Sequence, residues 1–226
     1  KKFFPKIYDY GKNFYKMETI NGLKLSYLLS NNLLTKDDLT NVLKKLNVIH
    51  ESKKFKISDK FSIYENYSKK LIKRIEKNKK YKNQDFNKIN DYLINYEREK
   101  KGQLGVIHGD PVLSNIIKKN NNDLIFLDPR GSLGDRPAIF GDINYDFSKV
   151  YQSLTGYENI ILEKKIDQDY LEDLQNHFEK LIIGKISFKD FKIIKFLTAS
   201  MYFSLTSFHN RKFTPKFLKI ARKLIK

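Results

Sequence analysis

The stretch from Gly105 to Asp128 constrains the fold more than any other part of the chain, because short apolar runs alternate there with residues that force turns. Gly105-Val106-Ile107 reads as a buried strand, and Gly109 permits a tight turn directly after it. Asn115-Ile116-Ile117 resumes an extended pattern, and Asn120-Asn121-Asn122-Asp123 turns the chain. Leu124 to Leu127 then returns as a second strand. Asp110, Asn115 and Asp128 are thereby expected to converge at one end of a small hairpin. Taken singly, each aspartate could merely cap a turn. Two carboxylates and an amide brought together argue for a site.

Most of the remaining chain reads as helix. Thr35-Lys36-Asp37-Asp38 is a capping-box-like start, opening an amphipathic run through Leu39, Val42, Leu43 and Leu46. Helices are predicted near 58 to 79, from Phe61, Tyr64, Tyr67, Leu71 and Ile72, and near 84 to 100, from Phe86, Ile89, Leu93 and Tyr96. The basic tract Lys73 to Lys82 is expected to fray into an exposed loop. Beyond the hairpin, helices are predicted near 142 to 155, 168 to 183, 187 to 208 and 214 to 225, punctuated by Gly184 and Pro215. At the other end, Phe3 to Glu18 reads as two short strands with a turn at Tyr10 to Asn13. Thr19 to Gly22 leads from them into a helical run from Leu23 to Leu29.

The formal charge of +18 over 226 residues invites a nucleic-acid partner. Only six of the 44 basic residues are arginine, however, and the lysines are spread over several helices, as on solvated faces. The expectation is no nucleic acid, with a surface that favours anionic ligands such as nucleotides, sugar phosphates or polyanionic glycans. With no cysteine there is neither a disulfide nor a thiolate metal site, and His50, His108, His177 and His209 lack zinc-ligand spacing. No apolar run approaches a membrane span, so a cytoplasmic location is expected.

His108-Gly109-Asp110-x-x-x-x-Asn115, followed by Asp128 at the end of an apolar strand, resembles the aminoglycoside phosphotransferase and choline kinase family, small-molecule relatives of protein kinases. The continuation Asp128-Pro129-Arg130-Gly131 and Gly141-Asp142-Ile143-Asn144-Tyr145-Asp146-Phe147-Ser148-Lys149 is similar to a subgroup among sugar kinases and bacterial surface-polysaccharide enzymes. The resemblance implies an α+β, protein-kinase-like fold: a mostly helical C-lobe over 23–226 with a catalytic loop at 106–128. Residues 1–22 would be the last hairpin of an N-lobe and the hinge. No Gly-rich phosphate loop or strand lysine precedes that hairpin, so the chain is expected to be part of a longer protein, fused to or associated with an upstream domain.

By the same resemblance Asp110 would be the catalytic base, and Asn115 and Asp128 the ligands of Mg2+ that hold ATP. His108 would support the loop through hydrogen bonds, and Asp146 would brace it. Backbone groups near Glu18 and Ile20 would bind the adenine. Arg130 could contact an anionic acceptor or a phosphate, or pair with Asp142 or Asp146. Phe203 to Arg211 is a substrate-side candidate, with a helix C-terminus carrying a favourable cation as the plainer reading. The function expected is an ATP-dependent phosphotransferase acting on the hydroxyl of a sugar or of an amino-alcohol such as choline, in capsular or other surface-polysaccharide biosynthesis. The alternative is a catalytically inactive kinase-like binding domain of a larger enzyme.

Overall fold

The computed structural model describes residues 3–53, 62–165, 167–184 and 191–226. Two exposed strands come first, β1 (Ile7–Gly11) and β2 (Phe14–Met17), forming an antiparallel hairpin in which Tyr10 faces Tyr15. Glu18 closes its base: the Glu18 N–H donates to the Lys6 carbonyl at 2.8 Å, and its carboxylate accepts from the Lys6 N–H at 3.1 Å.

The run expected to be helical from Leu23 instead begins as a strand, β3 (Gly22–Lys24), and the helix α1 (Leu25–Ser30) follows it. The cause is a close approach that no local pattern announces. A Cβ on Gly22 would lie 2.3 Å from the Lys118 carbonyl oxygen, so only glycine lets β3 lie there. Helix α2 (Lys36–His50) starts as its sequence predicts, with Thr35 and Asp38 exchanging side-chain and backbone hydrogen bonds at 3.1 Å. Leu39, Val42, Leu43 and Leu46 are buried.

The helix expected over 58–79 is shorter. Positions 58–61, with Phe61, lie outside the described residues, 62–67 form turns, and α3 covers Ser68–Ile75. Lys73 to Lys82 does not fray. Its first residues complete α3, and Glu76–Tyr81 forms a 3-10 turn broken at Asn78, whose side-chain amide donates to the Thr206 carbonyl at 3.0 Å. Helix α4 (Gln84–Arg98) is capped by Asn83.

Next come β4 (Leu104–Val106), a 3-10 turn at Leu113–Asn115, and the strands β5 (Ile116–Lys119) and β6 (Leu124–Phe126). The last two turn at Asn120–Asp123, as predicted, and β3 adds to β5 in a three-stranded antiparallel sheet ordered β3-β5-β6. A small pair, β7 (Ser132–Leu133) and β8 (Arg136–Pro137), precedes β9 (Phe140–Asp142), which lies antiparallel to β4 with Gly105 opposite Gly141. Helices α5 (Ile143–Leu154), α6 (Tyr157–Ile161), α7 (Gln168–Ile183), α8 (Phe191–Leu205) and α9 (Thr214–Leu224) finish the chain. Positions 187–190 of the helix predicted over 187–208 lie outside the described residues.

The core has two parts, sharing α8. One joins α1, α2, the β5–β6 hairpin, α5 and α7 through Leu29, Leu43, Phe126, Phe147 and Phe178. The other joins α3, α4, α8 and α9 through Leu71, Leu93, Phe203 and Phe217. Burying one such side chain contributes roughly 1.5–3 kcal/mol, so the first cluster holds the hairpin and both hold α5, through Phe147 and Tyr145. The fold is α+β, mostly helical, with small antiparallel sheets.

Candidate active site

The loop after β4 is held from inside the protein. Asp146, in the first turn of α5, is fully buried and accepts the His108 and Gly109 N–H groups, each at 2.8 Å. The third partner of its carboxylate is His50 Nε2, at 3.1 Å, from the end of α2. Gly109 has φ +82°, and a Cβ there would lie 2.7 Å from Arg130 Cβ. Both the turn and the packing therefore require glycine. His50 was not foreseen. It is separated from Asp146 by almost half the chain, and nothing in its local sequence marks it.

His108 points inward. Its ring stacks on Phe4, with centroids 6.0 Å apart, and Nδ1 accepts the Asp110 N–H at 3.2 Å. Burial pushes its imidazole below the usual histidine range, so it stays neutral at neutral pH. It shapes the backbone beside Asp110.

Asp110 faces two cations. Lys149 Nζ stands 3.0 Å from Asp110 Oδ1, and an Arg130 nitrogen stands 4.0 Å from it. Burial by itself would raise this carboxyl, but Lys149 and Arg130 outweigh it and hold it below the usual carboxylate range. It is ionised at neutral pH, able to orient and accept a hydroxyl proton. The Asn115 side-chain NH2 donates to the Asp110 carbonyl at 3.0 Å, which turns its Oδ1 away from that bond. Its backbone carbonyl accepts the Leu127 N–H at 2.8 Å, tying the 3-10 turn to the end of β6. One residue further, Asp128 has φ +52° directly before Pro129. A left-handed non-glycine residue costs on the order of 1–3 kcal/mol, and such strain gathers at functional sites. Tyr15 of the β1–β2 hairpin donates its hydroxyl to Asp128 Oδ1 at 3.1 Å, and this bond raises the phenol's pKa.

Asn115 and Asp128 offer the neutral and anionic oxygens that a hard cation such as Mg2+ takes. With the Asn115 amide fixed by its NH2 and one Asp128 oxygen bonded to Tyr15, each retains an oxygen for a metal, so the donor set fits. No group of three or more His, Cys, Asp or Glu that could hold a metal occurs among the described residues. Phosphate and water oxygens would have to complete the coordination, as is usual for Mg2+ at a nucleotide.

Arg130 takes neither of the bracing partners that its sequence position suggested. It donates to the Tyr145 hydroxyl at 2.8 Å, and its backbone N–H donates to the His108 carbonyl at 2.8 Å. Asp142 is satisfied elsewhere: the Tyr67 and Tyr96 hydroxyls donate to it at 2.7 and 2.6 Å, and the Gln103 and Asn144 N–H groups at 2.9 and 3.1 Å. Glu18 turns its N–H and carboxylate on Lys6, and Ile20 lies half-buried between the hairpin and β3. Lys149 and Tyr145, which complete the surroundings of Asp110, stood unassigned in the same motif. Their spacing from Asp146, one residue before and three after, places them on one helix, and that was the available signal.

After α8, His209 shares a hydrogen bond of 3.2 Å with the Tyr157 hydroxyl. Burial, and then Lys149, push its imidazole down. A cavity of about 520 Å3 lined by Lys88, Glu179, Lys195 and Leu224 includes none of these residues.

No family model matches the sequence, and no curated protein matches it. Solved structures do resemble it. Choline kinase LicA from Streptococcus pneumoniae superposes with a TM-score of 0.60 at 17% identity, over 99% of this chain and 75% of that one. An ethanolamine kinase from Plasmodium vivax gives 0.61 at 16% identity, over 100% of this chain and 68% of that one. LicA in complex with AMP gives 0.53 at 15% identity, over 99% and 74%. The chain has the protein-kinase-like fold of the choline and ethanolamine kinases.

Proposed function

We propose that this chain carries the catalytic loop of an ATP-dependent phosphotransferase acting on the hydroxyl of a small molecule. One observation carries the reading: Asp110 is kept ionised by Lys149 and Arg130, its carbonyl accepts the Asn115 side-chain amide, and Leu127 and Arg130, on either side of Asp128, are bonded to Asn115 and His108. Neighbours named choline kinase, ethanolamine kinase and an AMP complex support both the reaction class and the nucleotide.

In the reaction, the acceptor oxygen bonds to the γ-phosphorus while the bond from that phosphorus to the β,γ-bridging oxygen breaks. ADP leaves, and the hydroxyl proton passes to Asp110. Magnesium, when bound, neutralises charge on the phosphates. Asn115 and Asp128 would hold it. Asp110 orients the hydroxyl, Lys149 and Arg130 keep Asp110 charged, and Asp146 with His50 keeps the loop fixed. Adenine would lie near Glu18 and Ile20. The acceptor is a sugar or an amino-alcohol, and a place in surface-polysaccharide assembly is the finer form of this reading, resting on the Asp128-Pro129-Arg130-Gly131 resemblance.

Thermal melting with ADP tests the nucleotide part. ADP with Mg2+ should raise the melting temperature, ADP with a chelator should not, and Asp128→Ala should abolish the shift. A shift that is indifferent to both metal and Asp128 would remove Asp128 from the metal role.

A further inference from the structure

Beside Asp110, three cationic side chains converge on one phenol, and a fourth follows one turn along α3. Arg130 donates to the Tyr145 hydroxyl, and its guanidinium lies 5.0 Å from the ring centroid. The ammonium groups of Lys70 and Lys149 lie 5.8 and 6.0 Å from that ring. Arg74, one turn beyond Lys70 on α3, stacks over Phe208 at 3.4 Å, and its NH1 is buried without a hydrogen-bond partner. Lys70 donates to the Asn66 side-chain carbonyl at 3.2 Å. Among the described residues, Asp110 supplies the one carboxylate that forms an ion pair with any of the four.

Such a cluster differs from most lysines elsewhere, which sit on solvated faces. Burial lowers the pKa of Lys70, and Arg130, Lys149 and Arg74 push it the same way, because like charges in a half-buried space repel. Burial would raise the Tyr145 phenol, but Arg130, Lys70 and Lys149 pull it down to about 7. An oxygen surrounded in this way is pressed to become an anion. Partly buried positive charge is stable when an anion completes it, and an arginine nitrogen without a partner is a donor held for one.

We infer that Lys70, Arg74 and Arg130 form an acceptor subsite for an oxyanion: the substrate is an alcohol that also carries a phosphate or carboxylate, with its hydroxyl offered to Asp110. The direction of the chemistry rests on the phosphotransferase reading above; the subsite does not. It lies on the α3 and α5 side of Asp110, whereas Asp128 is tied to the β1–β2 hairpin. Choline and ethanolamine are cations and would be repelled by these groups. The subsite therefore favours the sugar side of the proposed acceptors, in phosphorylated or acidic form.

Calorimetry on this chain with glycerol 3-phosphate, glycerate and choline tests the subsite. Glycerol 3-phosphate should bind whether or not saturating Mg-ADP is present, and choline should give no heat. Glycerate binding more weakly than glycerol 3-phosphate would identify phosphate as the group, and glycerate binding more tightly would identify carboxylate. Lys70→Gln and Arg74→Gln should each weaken binding about tenfold or more. Arg74→Lys should restore part of the loss, and Lys219→Gln, on the exposed face of α9, should change nothing. Circular dichroism confirms that the variants fold. Binding of choline, absence of binding by both anions, or displacement of glycerol 3-phosphate by Mg-ADP would each overturn the subsite, the last by making the cluster part of the nucleotide site. Glycerol 3-phosphate binding without any Mg-ADP binding would instead reject the phosphotransferase reading and leave the subsite standing.

Discussion

Lys149 decides what Asp110 can do. Without a cation nearby, burial would push the Asp110 carboxyl towards its neutral form, which cannot take a proton. Asp110→Asn keeps the shape and removes the base, so turnover should fall by about 10²–10⁴-fold with the melting temperature nearly unchanged, which steady-state kinetics and melting together can check. The Tyr15 hydroxyl draws charge from the Asp128 carboxylate through one oxygen, which in the proposed metal role weakens the oxygen left for Mg2+. Tyr15→Phe should therefore tighten Mg-ADP binding by roughly fivefold, the worth of one hydrogen bond of about 1 kcal/mol. Tyr145 gives a spectroscopic signal. Its folded pKa of about 7 lies below the free phenol's 10, so ionisation adds stability in full above about pH 10, and that stability is lost as pH falls through about 7. One tyrosinate should appear in the near-ultraviolet spectrum around neutral pH and vanish in Tyr145→Phe; a spectrum with no titration before that of free tyrosine would refute the cation cluster around it. Asp110, Asn115 and Asp128 were legible in the sequence because their spacing is local. Lys70, Arg74 and His50 were not, because what makes them matter is a neighbour far away in the chain.

Helices and strands differ in how much of themselves they announce. The α2 start, α7 and α9 follow from periodicity and caps, since each is long enough to express a face. Thr35→Ala should cost about 1 kcal/mol, seen as a fall of roughly 2–4 °C in melting temperature. The pairs β3–β5 and β4–β9 involve strands of three or four residues whose partners are remote, so no local pattern could show them. Helix α3 begins late, with Tyr67 placed by the bond from its hydroxyl to Asp142. The basic tract after α3 stays ordered where Asn78 is anchored to the end of α8. Asp146 joins elements in the other direction, fastening the β4 loop to α5 and α2. Asp146→Ala would leave two buried N–H groups and His50 without an acceptor and should cost about 3 kcal/mol or more in denaturant unfolding.

Across the whole molecule, a net charge of +18 has two separable parts. Most lysines lie on solvated helix faces and set a general attraction for anions that salt screens. Four cations do something else, because they are gathered and partly buried on one side of Asp110. Among the described residues no helix is long and apolar enough to cross a membrane. Two core clusters meeting at α8 hold α5 in place, and α5 carries Asp146, Tyr145 and Lys149, so its position fixes the loop, the phenol and the charge of Asp110 together. The most direct measurement is ADP formation from Mg-ATP with a phosphorylated or acidic alcohol as acceptor. It should depend on the acceptor, require Mg2+, and be lost in Asp110→Asn. Acceptor-dependent ADP formation that survives Asp110→Asn, or its complete absence across sugar, sugar-phosphate and amino-alcohol acceptors, would contradict the assignment of this loop as a phosphotransfer site.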